Sequence, residues 1–317
     1  MKNKIIIGTR PSKLAVKQTK IVVNKLKTNY PNINYEVKKI STKGDRRLDK
    51  SLSSLQKEGF FIKEIEVALL NGEIDIAVHS AKDLPTKLPD EVEVACIADR
   101  ANPLDTFVGL KDKNIKLKEL NKGARLGTGS LRRRSQILNF RNDLNIIPVR
   151  GNVETRVANL KKGEKDLDGL ILAAAGLERL ELSEEINEYI SPDICLPAAR
   201  QGAIALEIRS DNKIIKNILK KIENDKIADA VWAEHGFLSY LEAGCHAPLG
   251  AYAQIKDNDS EKLIIRGTIG KIDGSKVYRD KIVTDRNKPK EKGKLLAKNM
   301  LANGAEQIMV ELKEELQ

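Results

Sequence analysis

Between residues 124 and 156 the chain runs twice through one local plan, an apolar segment, a tight polar loop and an amphipathic segment. Ala124 to Gly127 reads as a strand, Thr128-Gly129-Ser130 as a loop and Leu131 onward as a helix. Ile146 to Val149 reads as the next strand, followed by a Gly151-Asn152 turn and a helix from Val153. Successive strand–loop–helix units admit few architectures. They call for an α/β sheet with helices packed on it and a ligand site at the C-terminal ends of the strands.

The same stretch is chemically unlike its surroundings. It holds Arg125, Arg132, Arg133, Arg134, Arg141, Arg150 and Arg156 and no lysine, in a chain whose 56 basic residues are 39 Lys and 17 Arg. A guanidinium stays charged and grips carboxylate or phosphate through two parallel hydrogen bonds. Each loop delivers these arginines beside a helix N-terminus, whose free N–H groups and dipole favour anions. Ser130 can cap its helix or face a ligand. The expected ligand is multiply anionic. A solvated basic helix is the plain alternative. Nucleic acid fits worse, because aromatic residues make up 4% of the chain and Phe140 alone lies in the stretch.

The remaining chain extends the alternation. Lys4 to Gly8, Ile33 to Ile40, Asp75 to Val78, Glu93 to Ala98, Gly169 to Ala173 and Ala203 to Ile208 read as strands. Leu14 to Leu26 and Gly59 to Leu70 read as helices. The alternation predicts parallel sheets with right-handed crossovers. Arg100 to Asp105, with Pro103, reads as a crossover into a second unit, and the segment before Ala203 as the return. Residues 43–58 lack a period and read as a mobile loop. From about Lys220 the texture changes to a helix over Ile227 to Leu241, strands near 249–255, 262–270 and 276–284, and two closing helices, a small α+β domain.

Composition bounds the class. The chain has 317 residues, enough for two or three domains, and a net charge of +11, suited to an acidic partner. No apolar run of 18 residues occurs, so no membrane span is expected, and the opening residues read as a first strand rather than a signal peptide. A cytoplasmic location is the expectation. The three cysteines form no CxxC pair, which argues against structural zinc or a disulfide framework. Cys96 and Cys195 sit in apolar contexts and read as buried. Cys245 follows Gly244 and precedes His246 and Pro248 in a loop that can expose it, as a nucleophilic thiol requires. Ser80, Lys82 and Asp83 stand together just past a strand end, where α/β proteins place chemistry. His79 reads as a core group behind them.

Taken together, these segments resemble the porphobilinogen deaminases, also called hydroxymethylbilane synthases. The matching residues are Gly8-Thr9-Arg10-Pro11-Ser12 with Gln18, Gly59-Phe60-Phe61, His79-Ser80-Ala81-Lys82-Asp83-Leu84-Pro85, Gly127-Thr128-Gly129-Ser130-Leu131-Arg132-Arg133, Arg150-Gly151-Asn152-Val153 with Thr155-Arg156, Ala175-Gly176-Leu177 with Arg179, Leu196-Pro197-Ala198 with Gln201-Gly202, and Gly244-Cys245. They occur in the family's order and cover essentially the whole chain.

The resemblance implies an α/β fold of two doubly wound, periplasmic-binding-protein-like domains and a smaller α+β C-terminal domain. The divisions would be 1–99 with 200–218, then 100–199, then 219–317, with the active cleft between the first two domains. It implies a monomer carrying a dipyrromethane cofactor joined to Cys245 by a thioether. Four porphobilinogens would be added head to tail with loss of ammonia, and water would release hydroxymethylbilane. On this reading Ser80, Lys82, Thr128, Ser130, Arg132, Arg133 and Arg150 bind the cofactor. Arg10, Ser12, Gln18, Arg150, Arg156 and Arg179 bind substrate. Every pyrrole unit brings an acetate and a propionate, which accounts for so many cations. Asp83 is expected to stabilise the positive charge that develops on a pyrrole and to carry its proton. One departure is Glu58, where the family commonly has lysine, so a substrate-contacting loop lysine is not assigned. A non-catalytic two-lobed protein that binds an organic anion is the competing reading.

Overall fold

A computed structural model describes residues 3–42, 62–110, 114–242 and 247–316. The loop read over 43–58, including Glu58, and the helix start at Gly59 lie outside the described residues. In chain order the elements are strand β1 (Lys4–Thr9), helix α1 (Lys13–Asn29), β2 (Asn34–Lys39), α2 (Lys63–Leu70), β3 (Ile76–Ser80) and β4 (Val92–Arg100). There follow β5 (Asp105–Gly109), β6 (Arg125–Gly127), α3 (Leu131–Phe140), β7 (Asn145–Ile147), α4 (Val153–Lys161), β8 (Gly169–Ala173), α5 (Ala174–Arg179) and β9 (Glu188–Ile190). Last come β10 (Ala203–Arg209), α6 (Lys213–Leu219), α7 (Asp225–Leu241), β11 (Leu249–Lys256), β12 (Asp259–Gly270), β13 (Val277–Asp285), α8 (Pro289–Met300) and α9 (Glu306–Leu316).

The chain divides into two compact units, Met1–Arg100 with Gly202–Ala228, and Ala101–Gln201 with Asp229–Gln317. The first unit is built on a sheet of order β2-β1-β3-β10-β4. Strict alternation in β1 sends Ile5 and Ile7 to one face, where they pack with Val22 and Leu26 of α1 and Ile215 and Leu219 of α6. Ile6 goes to the other face, against Ile65 and Leu69 of α2. Helices therefore cover both faces, the arrangement that lets a sheet of near-continuous apolar strands form.

The second unit carries a sheet of order β7-β6-β8-β5-β9, again covered twice. Phe107, Leu126 and Ile171 pack on α3 through Ile137, while Val108, Leu170 and Leu172 pack on α4 and α5 through Val157, Leu160 and Leu177. The same unit holds the antiparallel meander β11-β12-β13, which packs on α7, α8 and α9 through Phe237, Leu296, Met300 and Ile308. This is the expected α+β part.

The sheets are not wholly parallel, as the alternation suggested. In the first, β10 runs antiparallel to both β3 and β4. In the second, β5 runs antiparallel to both β8 and β9. The exceptions are the strands by which the chain enters each sheet from the other unit. Such a strand is not delivered by a helical crossover from its neighbour, so the rule that makes βαβ strands parallel does not apply to it. The stretch expected to be only a crossover thus ends in strand β5 itself, and β9 was not anticipated.

Candidate functional site

In the first unit the candidate residues gather at the C-terminal ends of β1 and β3. Ser12 is the N-cap of α1, its Oγ accepting from the Ala15 N–H at 3.3 Å. Arg10, half-buried, lies in the turn just before it. Gln18, one turn into α1, is buried and exchanges two hydrogen bonds with Ser80: its Nε2 donates to Ser80 Oγ at 2.9 Å, and Ser80 Oγ donates to Gln18 Oε1 at 3.1 Å. That pair fixes the end of β3. The chain then makes a 3-10 turn, Ala81–Asp83, in which Ala81 is buried, Lys82 half-buried and Asp83 exposed. Behind it, His79 Nε2 lies 3.1 Å from Glu207 Oε2 on β10, and both side chains are buried. His79 is the satisfied core group that its sequence position suggested. Burial and the like charge of Glu207 push Glu66, on α2, above the usual carboxylate range.

In the second unit the loop after β6 is tight for a visible reason. A Cβ on Gly129 would stand 2.7 Å from the backbone oxygen of Val149, so only glycine fits. Thr128, buried, accepts from the Ser130 N–H at 3.2 Å, and Ser130 caps α3 by accepting from the Arg133 N–H at 3.4 Å. This directs Arg132 and Arg133 inward. Both are buried on Asp105, the first residue of β5, which is itself fully buried. Arg132 Nη1 donates to Asp105 Oδ2 at 2.6 Å and to the Leu196 carbonyl at 2.7 Å. Arg133 donates to Asp105 Oδ1 from Nε at 3.0 Å and from Nη2 at 2.8 Å, and to the Ile171 carbonyl at 3.0 Å. Gln201 Nε2 adds a further bond to Oδ1 at 2.9 Å. Burial alone would push the Asp105 carboxyl up. The two guanidiniums outweigh that and hold it well below the usual carboxylate range. Cys195, buried as expected, donates its thiol to the same carboxylate, and burial raises that thiol to about 12.

The second strand–loop–helix places Arg150 and Arg156 together. Gly151, at φ 98°, makes the turn. Arg150 is exposed just before it, and Arg156, half-buried in the first turn of α4, donates from Nε to the Gly151 carbonyl at 2.8 Å. The two line a cavity of about 60 Å³ with Asn159, Lys165 and Leu167. Burial, then the like charge of Arg133, lowers Arg156 to about 10, which leaves it cationic at neutral pH. Arg179 ends α5 on the far side of β8 in sequence. Cys245 and His246 lie outside the described residues; β11 begins shortly beyond them, its Ala251 N–H donating to the Pro197 carbonyl at 3.1 Å. Among the described residues no group of histidine, cysteine and carboxylate side chains could hold a metal ion.

The sequence reading named the arginines, gave Asp105 only as the end of a crossover and Gln201 only among the residues that carry the resemblance, and passed over Glu207. The available signals were an acid two residues before the apolar pair Phe107-Val108 and an acid inside the apolar strand Ala203–Ile208. An ionisable group in such a run is costly to bury unless paired, so each announces a partner without saying which.

Two doubly wound sheets, the second of them with buried guanidiniums, and an α+β C-terminal part define a protein of the α/β class. The comparisons with known proteins make the assignment narrower. Residues 5–217 match the family model described as porphobilinogen deaminase, dipyrromethane cofactor binding domain, and residues 228–302 match the porphobilinogen deaminase C-terminal domain. The porphobilinogen deaminase of Natranaerobius thermophilus is 45% identical over 315 residues, 98% of this chain and 99% of that one. That of Carboxydothermus hydrogenoformans is 43% identical over 99% of both. Among solved structures, the methionine-binding protein MetQ is 14% identical over 74% of this chain and 96% of its own, with a TM-score of 0.41. The chain belongs to the porphobilinogen deaminase family, and its main catalytic role is in tetrapyrrole biosynthesis.

Proposed function

We propose that this chain is a transferase that condenses four porphobilinogens head to tail, releasing ammonia at each addition, and frees hydroxymethylbilane by hydrolysis. Growth starts from a dipyrromethane joined through a thioether to Cys245. One observation carries the reading: two buried guanidiniums share a single carboxylate at Asp105, and Arg156 adds a further desolvated cation that donates to a carbonyl. Buried charge in excess is costly and is kept where a ligand of opposite charge completes it. The residues therefore fit a group whose every pyrrole bears two carboxylates.

When bound, the dipyrromethane supplies the free pyrrole carbon to which the first substrate is joined. Ser80, Lys82, Thr128, Ser130, Arg132, Arg133 and Arg150 would hold its carboxylates. Arg10, Ser12, Gln18, Arg150, Arg156 and Arg179 would hold those of the substrate. Asp83 is exposed in its turn, while Ser80 two residues earlier is pinned by Gln18. A carboxylate at this position can face a pyrrole nitrogen, stabilise positive charge developing there and take the proton lost when the ring regains aromaticity. The three-domain division, a monomeric state and a cytoplasmic location belong to the same proposal. No described helix is long and apolar enough to cross a membrane.

The test is turnover. Porphobilinogen consumption with ammonia release should be seen for the purified protein. Asp83→Asn should lower kcat about 100-fold or more, the usual loss for a group that stabilises transition-state charge, with KM changed little. Turnover of Asp83→Asn close to that of the parent would overturn the role given to Asp83. Saturable binding of porphobilinogen with no ammonia released would favour an organic-anion-binding protein instead.

A further inference from the structure

Asp105 is not among the residues that bind or react in the scheme above, yet four side chains from three segments of the chain converge on it. Its Oδ2 accepts from Arg132 Nη1 and from the Cys195 thiol, at 2.6 and 3.3 Å. Its Oδ1 accepts from Arg133 Nε and Nη2 and from Gln201 Nε2, at 3.0, 2.8 and 2.9 Å. A carboxylate offers about four lone-pair positions, so five donors saturate it. Arg132 Nη1 also donates to Cys195 Sγ at 3.3 Å and to the Leu196 carbonyl, and Arg133 Nη1 to the Ile171 carbonyl, so each guanidinium is held from a second side. Arg132 Nε makes no hydrogen bond among the described residues.

Two consequences follow. The guanidiniums cannot swing, because each is held by a carboxylate oxygen and a backbone oxygen on different elements. And the cluster carries two positive charges against one negative, in a region where all three side chains are buried. A single carboxylate that orders two arginines while leaving one charge over is a preorganised receptor for one more carboxylate.

We infer that Asp105 is a positioning residue, which orients Arg132 and Arg133 and sets their net charge so that the pair accepts one ligand carboxylate. The inference rests on the reading that these arginines bind the pyrrole carboxylates. Asp105 itself touches neither substrate nor reacting atoms.

Asp105→Ala removes the carboxylate and leaves a space the size of formate. Two readouts are needed, both on apo-protein given porphobilinogen: the gain of the two-pyrrole mass, and ammonia release per folded molecule. With chloride as the only anion, loading and release should fall at least 10-fold. Formate should restore both saturably, while chloride at the same ionic strength should not. If formate raises the melting temperature but leaves loading and release depressed, Asp105 only holds the fold and the inference fails. Wild-type-like loading without formate also overturns it. Should Asp105→Ala not fold even in formate, Asp105→Glu keeps the charge count and displaces the carboxylate. Loading reduced severalfold in folded Asp105→Glu supports the inference, and unchanged loading refutes it. Parent protein that neither carries nor gains the adduct would instead sink the functional reading, whatever the variants do.

Discussion

The two sheets share a plan. Each has five strands, four parallel and one antiparallel, with the antiparallel strand in the same place in the order. Each antiparallel strand carries a fully buried acid, Glu207 on β10 and Asp105 on β5. The partners differ. Glu207 meets His79, a group that can be neutral or charged. Asp105 meets two guanidiniums that are always charged. The first sheet thus sets its acid against a single histidine, with the Glu66 carboxylate nearby, while in the second two cations meet one anion. The shared topology brings an acid to the centre of each sheet; the neighbouring residues decide whether it is a closed structural pair or half of an anion receptor.

That contrast can be broken most sharply at the acids themselves. Asp105→Asn leaves two buried guanidiniums without a counter-charge and should cost about 3–5 kcal/mol of stability, the range for breaking a buried ion pair. Glu207→Gln retains a hydrogen-bonding partner for a histidine that can go neutral and should cost about 1–3 kcal/mol. Denaturant unfolding of both variants checks the order; equal losses would mean the charge imbalance has no energetic consequence. Equal in size to Asp105→Asn is Phe107→Ala, which empties a fully buried site on β5 beside Asp105 and should cost about 3–5 kcal/mol. Unlike Asp105→Ala, it should gain nothing from added formate.

Acid should also separate the units. His235, on α7 in the second unit, is lowered to about 3 by burial and then by Arg200. The unfolded chain therefore binds the proton first. Stability from this group is complete above about pH 6.5, declines as pH falls towards 3, and is flat below that. Asp105, depressed by its arginines, likewise loses its contribution as pH falls below the ordinary carboxylate range. Trp232, the only tryptophan, stands edge-on to His235 with ring centroids 5.4 Å apart, so its fluorescence reports this region. His235→Gln should flatten the stability profile between pH 6.5 and 3; an unchanged profile would contradict the burial argument.

The smallest effect is expected at the two serine caps. Ser12→Ala and Ser130→Ala each remove a side-chain acceptor at a helix start and should cost about 1 kcal/mol. Stability losses that differ by much more would show that one hydroxyl has a second structural duty.

Much of this was legible in the sequence because it is local. The alternation of apolar segments, the Thr128-Gly129-Ser130 loop, the burial of Cys96 and Cys195 and the C-terminal meander all follow from period, turn chemistry and apolar context. The antiparallel strands did not, because their direction depends on where the chain re-enters a sheet, which no window of residues records. The contacts that Asp105 and Gln201 make were missed for the same reason. The ion pairs join positions 27 and 28 residues apart, and the amide reaches across 96. The arginines announced an anion, but not that the chain supplies one of its own.

The most direct test of the central claim is the intact mass of the purified protein beside that of Cys245→Ser. The account predicts an excess equal to two condensed pyrrole units in the parent and none in the variant, with apo-protein acquiring it on incubation with porphobilinogen. A parent that shows no excess and gains none from porphobilinogen would contradict it.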